Sequence, residues 1–78
     1  MLNDDQFRRM LTSCRFIGEG QRPGFVAFNA PCLAARFAAQ GEVTVEQAML
    51  DIEQRARRLG GELVEGEVLW LPTDELQD

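Results

Sequence analysis

The chain has 78 residues, and its eight arginines and thirteen acidic residues give a formal net charge of −5. This length suits one domain, and no apolar run approaches the ~18 residues of a membrane-spanning helix. The sequence has no His, Lys or Tyr, which removes the commonest general base, the Schiff-base amine and the phenolic acid. We therefore expect no enzyme activity and no cofactor. The first residues lack the basic region of a signal peptide, so we expect a cytoplasmic protein.

The charge is unevenly distributed along the chain. Residues 1–58 hold seven acidic residues and eight Arg, a net of +1, whereas residues 59–78 hold six acidic residues and no basic one. An acidic end repels nucleic acid and membranes and attracts a basic protein surface, although it also simply keeps a small protein soluble. We expect another protein with a basic surface as partner, and neither nucleic acid nor a membrane.

The first predicted helix covers residues 2–14. Asn3 is a suitable N-cap, and Gln6 follows three residues later, as in a capping box. Four apolar residues share one face of this helix: Phe7, Met10, Leu11 and Cys14. Residues 25–28 are a short strand of β-forming residues, and the apolar pair at 16–17 either joins it as a hairpin or stays outside the sheet.

The segment between these two apolar patches is rich in Gly and contains a Pro-Gly pair, which predicts a loop. A phosphate cradle made by Gly18, Gly20 and Gly24 around Arg22 is the alternative interpretation. Its spacing matches neither G-x-G-x-x-G nor the Walker motif, so a plain loop is favoured.

Residues 31–40 form the second predicted helix, with Asn29 as its cap. This segment is nearly apolar all round, so we expect it to be well buried. Cys32 stands at its N-terminus, where a thiol pKa can be lowered, but a buried thiol is the favoured interpretation because no His accompanies it. We expect Cys14 and Cys32 to be reduced, with a disulfide as the alternative in an exported protein; two thiols are too few for a zinc site.

The strongest helix pattern covers residues 44–61. Thr44 and Gln47 match a capping box, and Gly60 and Gly61 can end the helix. One face of the helix is apolar: Val45, Ala48, Met49, Ile52, Ala56 and Leu59. Two i, i+4 ion pairs are predicted on its surface: Asp51–Arg55 and Glu53–Arg57. Leu50 lies off the apolar face.

Residues 62–72 predict two strands around a turn at Glu65-Gly66, followed by a polar acidic tail at 73–78. The second strand is apolar throughout: Val68, Leu69, Trp70 and Leu71. Because alternate residues of a strand point to opposite faces, both of its faces are apolar. Either the strand is covered on both sides or one face binds another molecule, and the small size of the domain favours the second alternative.

These elements predict a single α+β domain over residues 1–72, with three helices and a small antiparallel sheet that includes a C-terminal hairpin. The order α-β-α-α-β-β resembles that of winged-helix domains, with residues 33–41 as the second helix, 44–59 as the recognition helix and Glu65-Gly66 as the wing tip. The resemblance implies a nucleic-acid-binding regulator that uses Arg55, Arg57 and Arg58. The acidic residues of the helix and of the wing oppose that function.

A second resemblance concerns residues 57–72, RRLGGELVEGEVLWLP. This segment is similar to the helix–hairpin portion of small docking domains at the ends of multienzyme synthases, which implies binding of a partner's charged peptide along the hairpin. No family is recognised over the whole chain.

The leading hypothesis is a small acidic protein–protein interaction module that acts as a regulator, adaptor or inhibitor, of the kind that phages and other mobile elements encode. The expected partner-binding residues are Glu62, Glu65, Glu67, Val68, Leu69, Trp70, Leu71 and Leu50. The winged-helix nucleic-acid binder is the alternative, and a structural homodimer is a third hypothesis.

Overall fold

The computed structural model of the chain describes residues 3–16, 22–41 and 43–76. The predicted α+β class and element order are confirmed, since three helices accompany one three-stranded antiparallel sheet. In chain order the elements are α1 (Asp4–Ser13), β1 (Phe25–Asn29), α2 (Ala30–Gly41), α3 (Val45–Arg58), β2 (Glu62–Val64), β3 (Val68–Pro72) and a short 3-10 helix (Thr73–Leu76). That last helix lies in the segment predicted to be a polar tail.

Both α1 and α3 begin with the predicted capping boxes. The Gln6 N–H donates to Asn3 Oδ1 over 2.8 Å, and the Asn3 N–H donates to Gln6 Oε1 over 3.1 Å. Thr44 and Gln47 form the same reciprocal pair at the start of α3, over 3.1 and 3.0 Å. These bonds satisfy amide donors that no helical carbonyl reaches. They explain why α1 begins directly after Asn3 and α3 directly after Thr44.

The end of α3 is a Schellman motif around Gly60. Gly60 has a φ of 83°, a left-handed conformation that glycine adopts without steric cost. Its N–H donates to the Arg57 carbonyl over 3.3 Å, and the Gly61 N–H donates to the Ala56 carbonyl over 2.7 Å. The chain therefore turns directly from α3 into β2.

The apolar faces of the helices form one core together with the inner face of the sheet. On α3, Ala48, Ile52 and Ala56 are buried as predicted, whereas Val45 at its start is exposed. The expectation that α2 is well buried holds for one side of the helix only. Its buried residues are Ala30, Leu33, Ala34 and Phe37, and the opposite side of the helix, which includes two alanines, is exposed. Exposed alanine costs little, so a run of alanines does not specify a buried face.

The sheet has the order β1-β3-β2, so β3 is its central strand. Leu69 pairs with Phe28 on one side and with Leu63 on the other, and residues paired across strands point to the same face. Leu69 and Leu71 are both 0 % exposed and belong to the core with Phe28. The inner sheet face is therefore the one on which the three helices pack.

Residues 14–16 border the open edge of β1. The Phe16 N–H donates to the Ala27 carbonyl over 2.9 Å, and Arg15 forms an isolated bridge with Phe28. The predicted pairing between the two apolar patches therefore exists here as a bridge and not as a fourth strand of the described chain. Residue 17 of that patch, and Gly18 and Gly20 of the phosphate-cradle hypothesis, lie outside the described residues.

Candidate functional site

Besides Pro72 at the end of β3, the face of the sheet opposite the helices carries five apolar side chains, and we call this set of five the outer sheet face. Its members are Phe25, Ala27, Val64, Val68 and Trp70. The register brings them together, because Trp70 lies opposite Ala27 and Val68 lies opposite Val64. All five are half-buried, and none belongs to the core or to the apolar residues packed against it. One apolar face of β3 therefore packs in the core, and the other forms part of the outer sheet face.

Arg22 lies across the aromatic residues of the outer sheet face. Its guanidinium carbon is 4.7 Å from the centroid of the Trp70 ring and 5.5 Å from that of the Phe25 ring. Its Nη1 is 3.1 Å from Glu62 Oε2, in a pair whose side chains are 39 % and 59 % exposed. Ion pairs this exposed contribute at most about 1 kcal/mol, so a bound partner could rearrange this one at small cost.

The hairpin turn adds negative charge beside the outer sheet face. Glu65 and Gly66 both have positive φ, 53° and 67°, as the central residues of a type I′ turn require. The Glu67 N–H closes the turn on the Val64 carbonyl over 2.9 Å. The three glutamates predicted to bind a partner are all exposed: Glu62, Glu65 and Glu67. The predicted acidic hairpin is therefore available to solvent.

Two of the predicted contact residues are not available to a partner. Leu69 and Leu71 alternate with Val68 and Trp70 along β3, and alternation turns them toward the helices. Because both are fully buried, the prediction that they contact a partner is corrected. A charged residue at position 69 would unfold the domain and would not probe an interface.

Leu50 is 61 % exposed on the side of α3 opposite the buried residues of that helix. Since α3 packs on the inner sheet face, Leu50 lies apart from the outer sheet face. The structure therefore separates Leu50, which was predicted among the partner-binding residues, from the outer sheet face.

Arg55, the first of the three arginines predicted to bind nucleic acid, is buried in the core. Arg55 is 5 % exposed, and its Nε lies 2.7 Å from Asp51 Oδ1 and its Nη1 3.2 Å from Asp4 Oδ1. Its guanidinium carbon is 5.0 Å from the centroid of the Phe7 ring. Arg55 therefore joins α1 to α3 and cannot reach a phosphate. Its position three residues after Ile52 is the sequence signal for this burial, because it falls on the apolar face.

The other two arginines of that alternative are exposed at the end of α3. Arg57 Nη2 is 3.7 Å from Glu53 Oε2, as the i, i+4 spacing predicted. Arg58 borders a small pocket between α1 and the end of α3. Both positions are accounted for by the favourable interaction of cations with a helix C-terminus.

A groove between α1 and β1 has positive charge that the sequence analysis did not assign to a site. Its rim includes Arg8, Arg9 and Arg15, and its floor includes Leu11 and Phe28. The three arginines are exposed. The basic groove and the acidic hairpin thus give the chain two surfaces of opposite charge.

Residues 3–16, 22–41 and 43–76 contain no group of three or more His, Cys, Asp or Glu residues arranged to hold a metal ion. Within the same residues, no helix is long and apolar enough to cross a membrane. No protein-family model, curated protein or solved structure matches the chain. The basis for a proposed function is therefore the chain's own exposed side chains.

Proposed function

We propose that this chain is a protein–protein interaction module that binds a basic, partly apolar surface of another protein, and that it acts as a regulator, adaptor or inhibitor. The observation that carries the proposal is the outer sheet face, a continuous row of half-exposed apolar side chains on three strands. A single exposed apolar residue is ordinary, whereas a contiguous apolar patch beside charged residues is typical of an interaction site.

Trp70 is the proposed centre of the interface. It lies on the central strand, between Ala27 and Glu62 of the two neighbouring strands. Tryptophan is among the residues that most often dominate binding energy, and such residues cluster at the centre of an interface. Because β2 is an edge strand, an extended segment of the partner can pair with it and place alternate side chains beside Glu62 and Val64, which neighbour Trp70 and Val68 on the outer sheet face.

The charge of the partner follows from the hairpin. Glu65 and Glu67 are exposed at the turn, and Glu62 borders Trp70. Carboxylates around an apolar centre favour approach of a basic surface and repel an acidic one, mainly through the association rate. Salt should therefore slow association with the true partner.

We expect Trp70→Ala to weaken binding to the partner by about 30-fold or more, because truncating a central aromatic residue typically costs at least ~2 kcal/mol of binding energy. The partner would be isolated from host lysate with the tagged chain, purified and titrated by calorimetry against each variant. Leu50→Ala is the matched control, since Leu50 is exposed but lies apart from the outer sheet face. The control should bind like the unmodified chain.

Val68→Lys is the second test variant, because it adds charge to the outer sheet face without emptying space beside Arg22. Circular dichroism would establish that each variant is folded before titration. Unchanged affinity in folded Trp70→Ala and Val68→Lys would sink the proposal. If the isolated partner is a second copy of this chain, the proposal of a basic partner fails, and sedimentation at several concentrations would identify a homodimer instead.

Nucleic-acid binding is the second candidate, and the α-β-α-α-β-β order favours it through the winged-helix resemblance. The charges oppose it, since Arg55 is buried and the first half of α3 carries Glu46 and Asp51. We expect no binding of mixed-sequence duplex DNA at low salt, as measured by fluorescence anisotropy. Binding that falls steeply with salt and is weakened by Arg57→Ala combined with Arg58→Ala would reverse this ranking.

A further inference from the structure

The two cysteines of the chain lie against each other although 18 residues separate them. The Cys14 Sγ donates a hydrogen bond to the Cys32 Sγ over 3.0 Å. Cys14 is the C-cap of α1 and is only 3 % exposed, whereas Cys32 lies in the first turn of α2 and is half-buried. The pair therefore consists of one accessible thiol and one enclosed thiol.

Asn29 fixes the relative position of these two thiols. Its N–H donates to the Cys14 carbonyl over 2.7 Å, and its Oδ1 accepts the Cys32 N–H over 3.0 Å. One residue thus holds the end of α1 and the start of α2 in register. The proximity of the two sulfurs follows from backbone geometry and not from a chance orientation of two surface side chains.

The surroundings distinguish the two thiols chemically. The pKa of Cys32 is lowered, first by the hydrogen bond from Cys14 and then by Arg36, one helical turn further along α2. The pKa of Cys14 is raised to about 11, first by burial and then by its hydrogen bond to Cys32. Cys32 is therefore the first of the two thiols to ionise as the pH rises, and its accessible sulfur has the greater thiolate character.

We propose that Cys32 and Cys14 form a redox-active dithiol that reacts with low-molecular-weight disulfides such as oxidised glutathione. The Cys32 thiolate attacks one sulfur of the small disulfide, the S–S bond breaks, and one small thiol leaves after taking up a proton. Cys14 then loses its proton to solvent and attacks Cys32 Sγ, and the second small thiol departs. Two protein thiols are oxidised to one disulfide, and one small disulfide is reduced to two thiols.

The geometry suits the second step. The two sulfurs must approach by about 1 Å to form a disulfide, a movement within the reach of side-chain rotation. Cys14 is already in contact with the sulfur that it attacks, so a mixed disulfide on Cys32 should be resolved before it accumulates. This reaction is independent of the outer sheet face, so it can succeed or fail separately from the proposed function.

The test treats the fully reduced chain with oxidised glutathione, stops the reaction with acid and follows intact mass. The unmodified chain should lose the mass of two hydrogen atoms without accumulating a glutathione adduct. Cys14→Ser should stop at a stable adduct of one glutathione on Cys32. Cys32→Ser should react at least about tenfold more slowly than Cys14→Ser, because its remaining thiol is buried.

The Arg36→Gln variant tests whether Cys32 reacts because Arg36 lowers its pKa or only because its thiol is exposed. It should slow alkylation of Cys32 several-fold at neutral pH in the Cys14→Ser background, since the neighbouring positive charge is lost. The proposal is overturned if the unmodified chain ends as a glutathione adduct or as intermolecular dimers. It is also overturned if Cys14 in folded Cys32→Ser reacts as fast as Cys32 in Cys14→Ser.

Discussion

Replacement of Arg55 by alanine is expected to lower the free energy of unfolding by about 2–4 kcal/mol. The Arg55 guanidinium is enclosed where α3 meets α1 and α2, with its carbon 5.0 and 6.0 Å from the ring centroids of Phe7 and Phe37. It also donates to the carboxylates of Asp51 and Asp4. Alanine removes these charge-assisted hydrogen bonds and the packing of a long aliphatic stem in one step.

Urea unfolding followed by circular dichroism measures this loss. Arg58→Ala is the matched control, because Arg58 is exposed on the same helix and its removal should change the free energy of unfolding by less than about 0.5 kcal/mol. The free energy of unfolding of Arg55→Met should lie between those of the two alanine variants, since methionine restores much of the packing without the charge. Equal stability of the two alanine variants would show that the buried ion pairs of Arg55 do not stabilise the fold.

Gly61→Ala is expected to cost about 2–4 kcal/mol of stability, because the residue has no room for a side chain. A Cβ at this position would overlap the backbone carbonyl oxygen of Trp70 and would lie 3.0 Å from Leu71 Cδ2. The carbonyl of a central strand cannot withdraw without disturbing the pairing of β2 with β3. The same disturbance should displace Trp70, so Gly61→Ala should weaken partner binding as well as stability.

Gly66→Ala is the control for this effect. Gly66 has a φ of 67° and nothing within 4 Å of the added Cβ, so its replacement carries only the conformational cost, about 1 kcal/mol. Thermal unfolding of both variants compares the stability lost to steric overlap at Gly61 with the stability lost to a positive φ at Gly66. A midpoint for Gly61→Ala as high as that of Gly66→Ala would contradict the close approach of α3's end to β3.

The two proposals place different chemistry on different parts of the fold. The outer sheet face uses apolar and acidic residues of the strands and their turn, whereas the dithiol lies where the end of α1 meets the start of α2. Asn29 lies near both, since it holds the two cysteines and also pairs with Val68. Partner titrations should therefore be done with the cysteines in a defined oxidation state.

Local sequence signals predicted the elements because the interactions that define them are local. The capping boxes at Asn3 and Thr44 join residues three positions apart, and the Schellman motif at Gly60 joins residues within one turn. The turn at Glu65-Gly66 likewise closes over a few residues. Such interactions can be recognised in a single sequence without knowledge of the tertiary structure.

The candidate site was only partly predictable. The sequence showed that β3 is apolar on both faces, but it could not say whether Leu69 or Trp70 faces the core. Pairing with β1, about 40 residues earlier in the chain, places Phe28 opposite Leu69 and so decides the inner face. Phe25 was not predicted as a site residue and Arg22 was considered only for a phosphate cradle, because it is the pairing of β1 with β3 that brings this part of the chain to Trp70.

Residue spacing and charge were enough to predict the α+β class, the element order, the caps of α1 and α3 and the acidic hairpin, because these features depend on residues close together in the chain. Three features became visible only in the folded chain: the burial of Arg55, the separation of Leu50 from the outer sheet face, and the contact between Cys14 and Cys32. Each of these outcomes depends on packing between elements that are distant in the chain. Periodicity specifies which face of an element is apolar, whereas the register between elements specifies what that face meets.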